Sequence, residues 1–381
     1  MKKILFFLLA AVLFTAVFGC SSVNQTNCQK TAEKIEKRLK VGLYVDKGAS
    51  GNGVFHLASL IAHSPQTELV TLMAEDIRSG ALKDINILVM PGGSSKKQCE
   101  TIGKEHLEKI REFLRNGGGF VGTCAGMFDT LEHLMQLLPF ARHIKAGGST
   151  AYATIEISRE GAEILGLSSA GPRVVRYSGG PAAYALKNSK SEGKGKTLAV
   201  FKSAVSRDKA HEGKFIGSSA LIYGSYGKGK VAATSFHPEY WESTHDIMLG
   251  CFYAVSGVKM TPNFPQKNYR PIRVGILSIG ATGKAPIATM LKLEKEPDID
   301  LDYVMSAELN QGILSHLDVL VIPSADLKKT KKYLSQKQLK KFMDNGGVVI
   351  AADKSSMLAP PHKNFKQLSP NADILKYIFK K

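Results

Sequence analysis

Apolar and polar positions follow two periods along the 381 residues. Short, nearly continuous apolar runs predict buried strands: "KVGLYVD" (Lys40–Asp46), "ELVTLM" and "INILVMPGG". Between them, "VFHLASLIAH" and "KEHLEKIREFLRNGG" place apolar residues three and four apart and predict helices. The second is stopped at Asn116-Gly117. "GGGFVGTCAGMF" (Gly117–Phe128) then runs from a glycine turn through an apolar strand to a cysteine and an apolar helix. Strands alternating with helices at this spacing predict a mostly parallel α/β sheet covered on both faces. Its working loops lie at the carboxyl ends of the strands, where "DKGASGNG", "PGGSS" and Cys124 fall. From Ala151 to Phe236 the pattern changes to shorter strands and turns, as though hairpins extend the sheet. "YWESTHDIMLGCFYAV" closes this domain as a helix.

A proline-bearing stretch without apolar period, "GVKMTPNFPQKNYRP", reads as a linker, and an internal repeat follows it. "RPIRVGILSIGATGK" echoes "RLKVGLYVDKGASGN", "LDVLVIPSADL" echoes "INILVMPGGSS", and "LKKFMDNGGVVIAADKS" echoes "IREFLRNGGGFVGTCAG". The distance from Val41 to Pro91 matches that from Val274 to Pro323 within one residue. The second unit is a shorter, degenerate copy of the first. Asp353 stands at the position of Cys124, Ser324-Ala325 replaces the glycine pair, and nothing corresponds to Ala151–Tyr240. The organisation expected is a leader over 1–19, a polar tether over 20–39, a first domain over 40–258, a linker over 259–269 and the degenerate copy over 270–381.

The leader changes the expected compartment. Lys2 and Lys3 precede an apolar run too short for a comfortable membrane span, and the run ends at Gly19-Cys20. This resembles a bacterial lipoprotein signal, which implies that Cys20 becomes the lipidated first residue and that the rest of the chain lies outside the cytoplasm, in the cell envelope. Ser21 in place of an aspartate favours an outer-membrane address where the cell has one. The formal charge of +18 comes from scattered lysines without interleaved aromatics. That excludes a nucleic-acid partner and suits an anionic envelope surface. The five cysteines make neither a disulfide framework nor a CxxC pair, so no metal or other cofactor is expected. Cys251 falls in an apolar helix pattern and is read as core.

Cys124 differs from the others. Gly122 and Gly126 flank it in "GTCAG", the pattern of a nucleophile at a tight strand-to-helix turn, where small neighbours let strand and helix approach. A following helix N-terminus favours thiolate. Five cysteines and 36 glycines in 381 residues give roughly 0.04 such matches by chance. A base and its orienting group are expected nearby. "ATSFHPEYW" offers His237 and Glu239 across Pro238, which favours extended backbone at His237 and puts both side chains on one side. The blander alternative is a packing cysteine and a capped loop. The histidines His56, His106, His133, His143, His211, His245, His316 and His362 lack such a neighbour in sequence and are read as surface or structural.

Together, G-x-C-x-G after a strand, the "VMPGGSSKKQC" turn, "RYSGGPAAY" and "SYGKGKVAATSFHPE" resemble the class I glutamine amidotransferase superfamily. Within it the sequence is similar to the family named after the N-terminal domain of biotin–protein ligase. The resemblance implies a flavodoxin-like doubly wound fold. It implies Cys124 as nucleophile, His237 as general base and acid, and Glu239 as its orienter. It also implies an oxyanion hole from the N–H groups of Gly93 and Ala125, and a pocket near Gly92, Tyr177, Gly179 and Gly180. No synthase or ligase portion accompanies it, and Ala125 stands where related cysteine peptidases carry a histidine. Two functions follow: an envelope amidase or other C–N hydrolase acting on a small-molecule or peptide amide through a cysteine thioester, or a non-catalytic module that binds a ligand or an envelope protein.

Overall fold

The computed structural model describes residues 38–205, 209–369 and 372–379. The expected leader, Cys20, Cys28 and nearly all of the tether lie outside these residues.

The apolar runs form strands that are buried on both faces, as a parallel sheet between helices requires. They are β1 (Leu39–Tyr44), β3 (Ile87–Met90), β4 (Gly119–Thr123) and β11 (Gly229–Thr234), with β2 (Thr67–Leu72) less buried at the edge. They lie in the order β2-β1-β3-β4-β11, all parallel. Beyond β11 the sheet turns antiparallel through β10 (Ser219–Tyr226), β9 (Lys194–Phe201), β6 (Ala151–Ile157) and β7 (Gly171–Tyr177). Along β6, buried positions alternate with half-buried ones, the period of a sheet with one open face. The short strands β5 (Phe140–Arg142) and β8 (Ala183–Ala185) pair with each other, and β8 joins β10 at its start. The hairpin extension of the sheet is therefore present, attached to a flavodoxin-like parallel half.

A second sheet is parallel throughout: β12 (Ile272–Leu277), β13 (Ile299–Val304), β14 (Val319–Ile322), β15 (Val348–Ala352) and β16 (Phe365–Leu368). Its order β13-β12-β14-β15 repeats β2-β1-β3-β4, and β16 takes the place next to β15 that β11 holds next to β4. The repetition reaches single residues. Val41 pairs with Ile87 as Val274 pairs with Val319. An isolated bridge joins Ala49 to Gly93, and another joins Ala281 to Ala325. Cys124 and Asp353 both hold positive φ, 51° and 46°.

The two sheets meet through equivalent helices. Helix α1 (Gly51–Ala62) follows β1 and packs against helix α5 (Lys284–Lys295), which follows β12; the helices between them include α2 (Ser95–Ile102), α3 (Ala125–Thr130) and α4 (Glu242–Ser256) as well as the predicted helix Leu107–Arg115. Val274, Ile287 and Met290 join the hydrophobic core built on the first sheet. Gly51 approaches so closely that a Cβ on it would stand 2.2 Å from the Ser278 carbonyl oxygen. The Gly283 N–H donates to Val45 O at 2.6 Å, and Lys284 pairs with Asp76 at 2.8 Å. Glu294 of α5 forms the polar centre of the contact. Ser59 Oγ donates to it at 2.7 Å, Tyr303 OH at 2.9 Å, and His63 Nε2 lies 3.0 Å from its second oxygen. The linker lies over this contact, with Asn263 N–H donating to His63 O and Phe264 beside the His63 ring. Among the described residues no helix is long and apolar enough to cross a membrane.

Burial alone would raise the Glu294 pKa, but hydrogen bonds from His63, Ser59 and Tyr303 outweigh it and hold it below the ordinary 4.5. A carboxyl with a depressed folded pKa adds stability that is present above its unfolded value and is lost as pH falls through the folded one. Glu294→Ala is expected to cost about 3 kcal/mol at pH 7 by stranding its buried partners. Glu294→Gln should cost less, with the gap from wild type closing below pH 4.5. Urea unfolding at pH 7 and pH 4 reads both, and equal midpoints for all three proteins at pH 7 would remove Glu294 as the centre of the contact.

Candidate active site

The site starts from one strained residue. β4 ends at Thr123, α3 begins at Ala125, and Cys124 between them has φ 51° and ψ −99°. A non-glycine residue in such a region costs of order 1–3 kcal/mol and persists only where its surroundings fix it. Here Cys124 N–H donates to Thr234 O at 2.8 Å, and Cys124 O accepts from Met127 and Phe128 at 3.1 and 3.3 Å. The flanking glycines permit the turn sterically. A Cβ on Gly122 would lie 2.5 Å from Gly126 O, and one on Gly126 would lie 2.1 Å from Met90 O. The thiol, 5% exposed, donates to Ser178 O at 3.3 Å.

β11 delivers the second part. After Thr234 the chain passes under β7, where His237 N–H donates to Arg176 O at 2.8 Å. His237 Nδ1 lies 2.9 Å from Glu239 Oε1, and both residues are buried. Thr123 Oγ1 also reaches Glu239 Oε1, at 3.5 Å, while Glu239 Oε2 has no hydrogen-bond partner. The imidazole stacks flat on Tyr240, centroids 4.6 Å apart at 9°. Cys124 stands near enough to the ring to favour its charged form. Gly92 makes this meeting possible, since a Cβ there would stand 2.7 Å from His237 Cε1 and 3.5 Å from Cys124 Cβ. Burial alone would lower the His237 pKa. Tyr240, Glu239 and Cys124 outweigh it and raise the value well above 6.5. The arrangement can therefore offer a sulfur nucleophile beside an imidazolium held by a carboxylate.

The remaining residues of the resemblance are placed as follows. Gly93 has φ 137°, and a Cβ on it would lie 2.1 Å from Gly48 O. Its N–H and that of Ala125, the first of a helix, have no backbone acceptor among the described residues. Gly179 is half-buried with φ 77°. Gly180 is buried, packed on Ser235 O. Tyr177 is fully buried behind the site wall. Its hydroxyl donates to Gly180 O and accepts from Gly148 N–H, and its ring packs on Phe201 and Phe215. Ser178, one residue on, is the one that touches Cys124.

Sequence reasoning missed several neighbours. Tyr240 directly follows the His-Pro-Glu run, and its place there was the one local signal. Arg176 lies 5.1 Å over the Tyr240 ring. His245 Nε2 sits 3.1 Å from Glu239 O. His56 is wedged between Tyr240 and Tyr303, and burial, with the nearby His245, Arg176 and His237, lowers its pKa to about 3. Cys99 and Cys251 are buried thiols whose pKa values burial pushes up, that of Cys251 to about 12. Among the described residues no group of His, Cys, Asp or Glu is arranged to hold a metal ion.

A cleft of about 810 Å³ lined by both copies includes Ser178, whose carbonyl Cys124 touches, while Cys124 and His237 themselves are not on its lining. The first copy contributes Lys47, Asn52, Gly93, Ser178 and Tyr240, and the second contributes Ser278, Thr282 and Lys329.

Among solved structures, the chain is similar to a ThuA-like protein from Parabacteroides merdae, at 13% identity and a TM-score of 0.42, covering 61% of this chain and 94% of that one. It is similar to PurLQS from Thermotoga maritima, at 12% identity and 0.41, covering 56% and 98%. It is also similar to a glutamine amidotransferase from Methylobacillus flagellatus, at 12% and 0.31, covering 55% and 72%. Among curated proteins, the biotin–protein ligase of Schizosaccharomyces pombe is 28% identical over an alignment of 173 positions that covers 40% of this chain and 25% of the ligase. The chain thus spans about a quarter of the length of that relative. Residues 39–133, which carry β1, the Pro91 turn and the Cys124 elbow, match the family model described as "Biotin-protein ligase, N terminal".

Proposed function

We propose that this protein is a lipid-anchored envelope hydrolase that cleaves a C–N bond through a thioester on Cys124. The observation that carries the reading is the convergence of three strand ends. β4 holds Cys124 in a strained turn, the β3 turn supplies the glycine that makes room, and β11 brings an imidazole already paired to a buried carboxylate. The sulfur anion attacks the amide carbonyl, forming C–S and placing negative charge on oxygen, for which the Gly93 and Ala125 N–H groups, left without a backbone acceptor among the described residues, are the candidate donors. The intermediate collapses with loss of C–N, and His237 gives its proton to the leaving amine. Water then attacks the thioester as His237 takes its proton, the C–S bond breaks, and the acid departs with the thiolate–imidazolium pair restored. Glu239 holds the ring and favours its charged form. The second reading, a binding module, is favoured by the burial of Cys124 and by the size of the cleft between the copies, whose lining does not include Cys124.

The lipid anchor rests on the Lys2-Lys3 start, the apolar run and Gly19-Cys20. Labelled fatty acid should enter the wild type in cells and not Cys20→Ala. Label retained in Cys20→Ala would overturn the anchor.

The chemistry is read by alkylation. Iodoacetamide near neutral pH should label Cys124 faster than Cys99 or Cys251, whose protons burial holds. His237 is charged below its raised pKa, so its charge is lost only as pH climbs through that value. His237→Ala should therefore slow labelling at pH 7 by about tenfold or more and move its pH midpoint upward. Glu239→Gln should do so more weakly, because the imidazole remains. Cys124 labelled no faster than Cys251, or equally fast without His237, would leave the elbow a structural relic and give the binding module its place.

A further inference from the structure

The cleft between the two copies contains groups that no internal partner satisfies. Asn52, on the first turn of α1, is 5% exposed and lies against Tyr240, and neither its amide nitrogen nor its oxygen meets hydrogen-bond geometry with a partner. It lines the cleft beside Tyr240. Arg176 lines the same cleft with a buried Nε that has no acceptor. A buried polar atom left unpaired costs about 1–3 kcal/mol; these atoms are closed to solvent here, and a side-chain shift that opens them to a ligand in the cleft recovers that cost. Around this pair stand Lys47, Lys97 and Lys329. No ion pair is formed by any of these three lysines or by Arg176 among the described residues. Asp326 is the carboxylate on the lining, and it is engaged as a helix cap, accepting from the N–H groups of Lys328 and Lys329. Lys97 and Lys329 hold equivalent places, each three residues after the capping residue, Ser94 or Asp326, of corresponding helices. The repeat has thus set one cation on each wall.

We infer that this cleft seats the substrate by an anionic group, a carboxylate or a phosphate, held between the two copies while the scissile amide reaches Cys124. The anion accepts from Arg176 and the Asn52 amide N–H, and the lysines neutralise it. The second copy then serves the first as a specificity wall and needs no chemistry of its own, in keeping with Asp353 at its elbow. The placement of the amide rests on the hydrolase reading; the anion site does not.

The full-length protein is alkylated with iodoacetate, which carries a carboxylate, and with neutral iodoacetamide. The ratio of the two rates at Cys124 is compared with the ratio for N-acetylcysteine. The protein's ratio should exceed the free thiol's by at least about tenfold at low salt, as expected of a cationic cleft. It should fall toward the free-thiol value in Lys97→Ala and Arg176→Gln. Independently, millimolar glutarate or inorganic phosphate, at ionic strength matched with sodium chloride, should raise the melting temperature of the wild type and not of Asn52→Leu. A rise with glutarate alone assigns a carboxylate, and one with phosphate alone assigns a phosphate ester. Fast, His237-dependent iodoacetamide labelling with no preference for iodoacetate and no melting shift would overturn the anion site and leave the hydrolase standing. An inert Cys124 together with an anion-dependent melting shift that Asn52→Leu abolishes would do the reverse.

Discussion

Everything at the site depends on how closely one helix turn presses against one strand. Gly126 lies so near the Met90 carbonyl that no side chain fits between them, and Gly122 is pressed against Gly126 in turn. With strand and helix that close, the joining residue has few conformations open to it, and Cys124 takes positive φ. This lifts its side chain out of the β4–α3 packing and toward the strand ends. A backbone strain of order 1–3 kcal/mol is sustained there by the hydrogen bonds around it. His237 can meet the sulfur only because Gly92 leaves the space a Cβ would fill.

The second copy separates what the fold needs from what the chemistry needs. It keeps the strand order, the register, the bridge between the first loop and the third strand, and a positive φ at the elbow. It keeps none of the reactive groups. Asp353 is exposed at the elbow, Ser324-Ala325 stands for the glycine pair, and β16 leads to no histidine–carboxylate pair. A positive-φ elbow is thus a property of this α/β unit, and a cysteine there with a paired histidine is an addition to it. The copies pack through corresponding helices, α1 on α5. That choice brings the carboxyl ends of both sheets to one cleft.

How much of this was legible in the sequence depends on distance along the chain. The strands of the parallel half are short apolar runs between helical periods, and a period is a local property, so they could be read directly. The repeat could be read because its landmarks recur in order. The pairing of His237 with Glu239 was visible because residues two apart in extended chain share a side. Contacts without a local signature were not visible. Glu294 meets Ser59 across 235 residues, and nothing in either helix announces the other. Tyr177 looked like a mouth residue from its motif, yet its ring fills the core beneath β7, and its hydroxyl is engaged by Gly180 and Gly148. The unpaired amide of Asn52 is a fact of burial, which "GASGN" cannot express.

Burial also gives a reason to connect the strain with function. Glu239 is wholly buried, with one oxygen lacking any partner, and the hydrogen-bonding cation against it is the His237 imidazolium. Carboxylates are seldom buried so completely unless a charge compensates them, and removing one member of such a pair strands the other at a cost of about 3–5 kcal/mol. The first domain holds this pair and the cysteine at its strand ends, beside the cleft that the unsatisfied Asn52 lines, although the second shows that the same backbone is built without any of these side chains. The positive φ recurs at Asp353, so backbone strain alone belongs to the fold; what the first domain adds to it is the buried histidine–carboxylate pair and the unpaired amide, and buried polar groups of that kind cost stability.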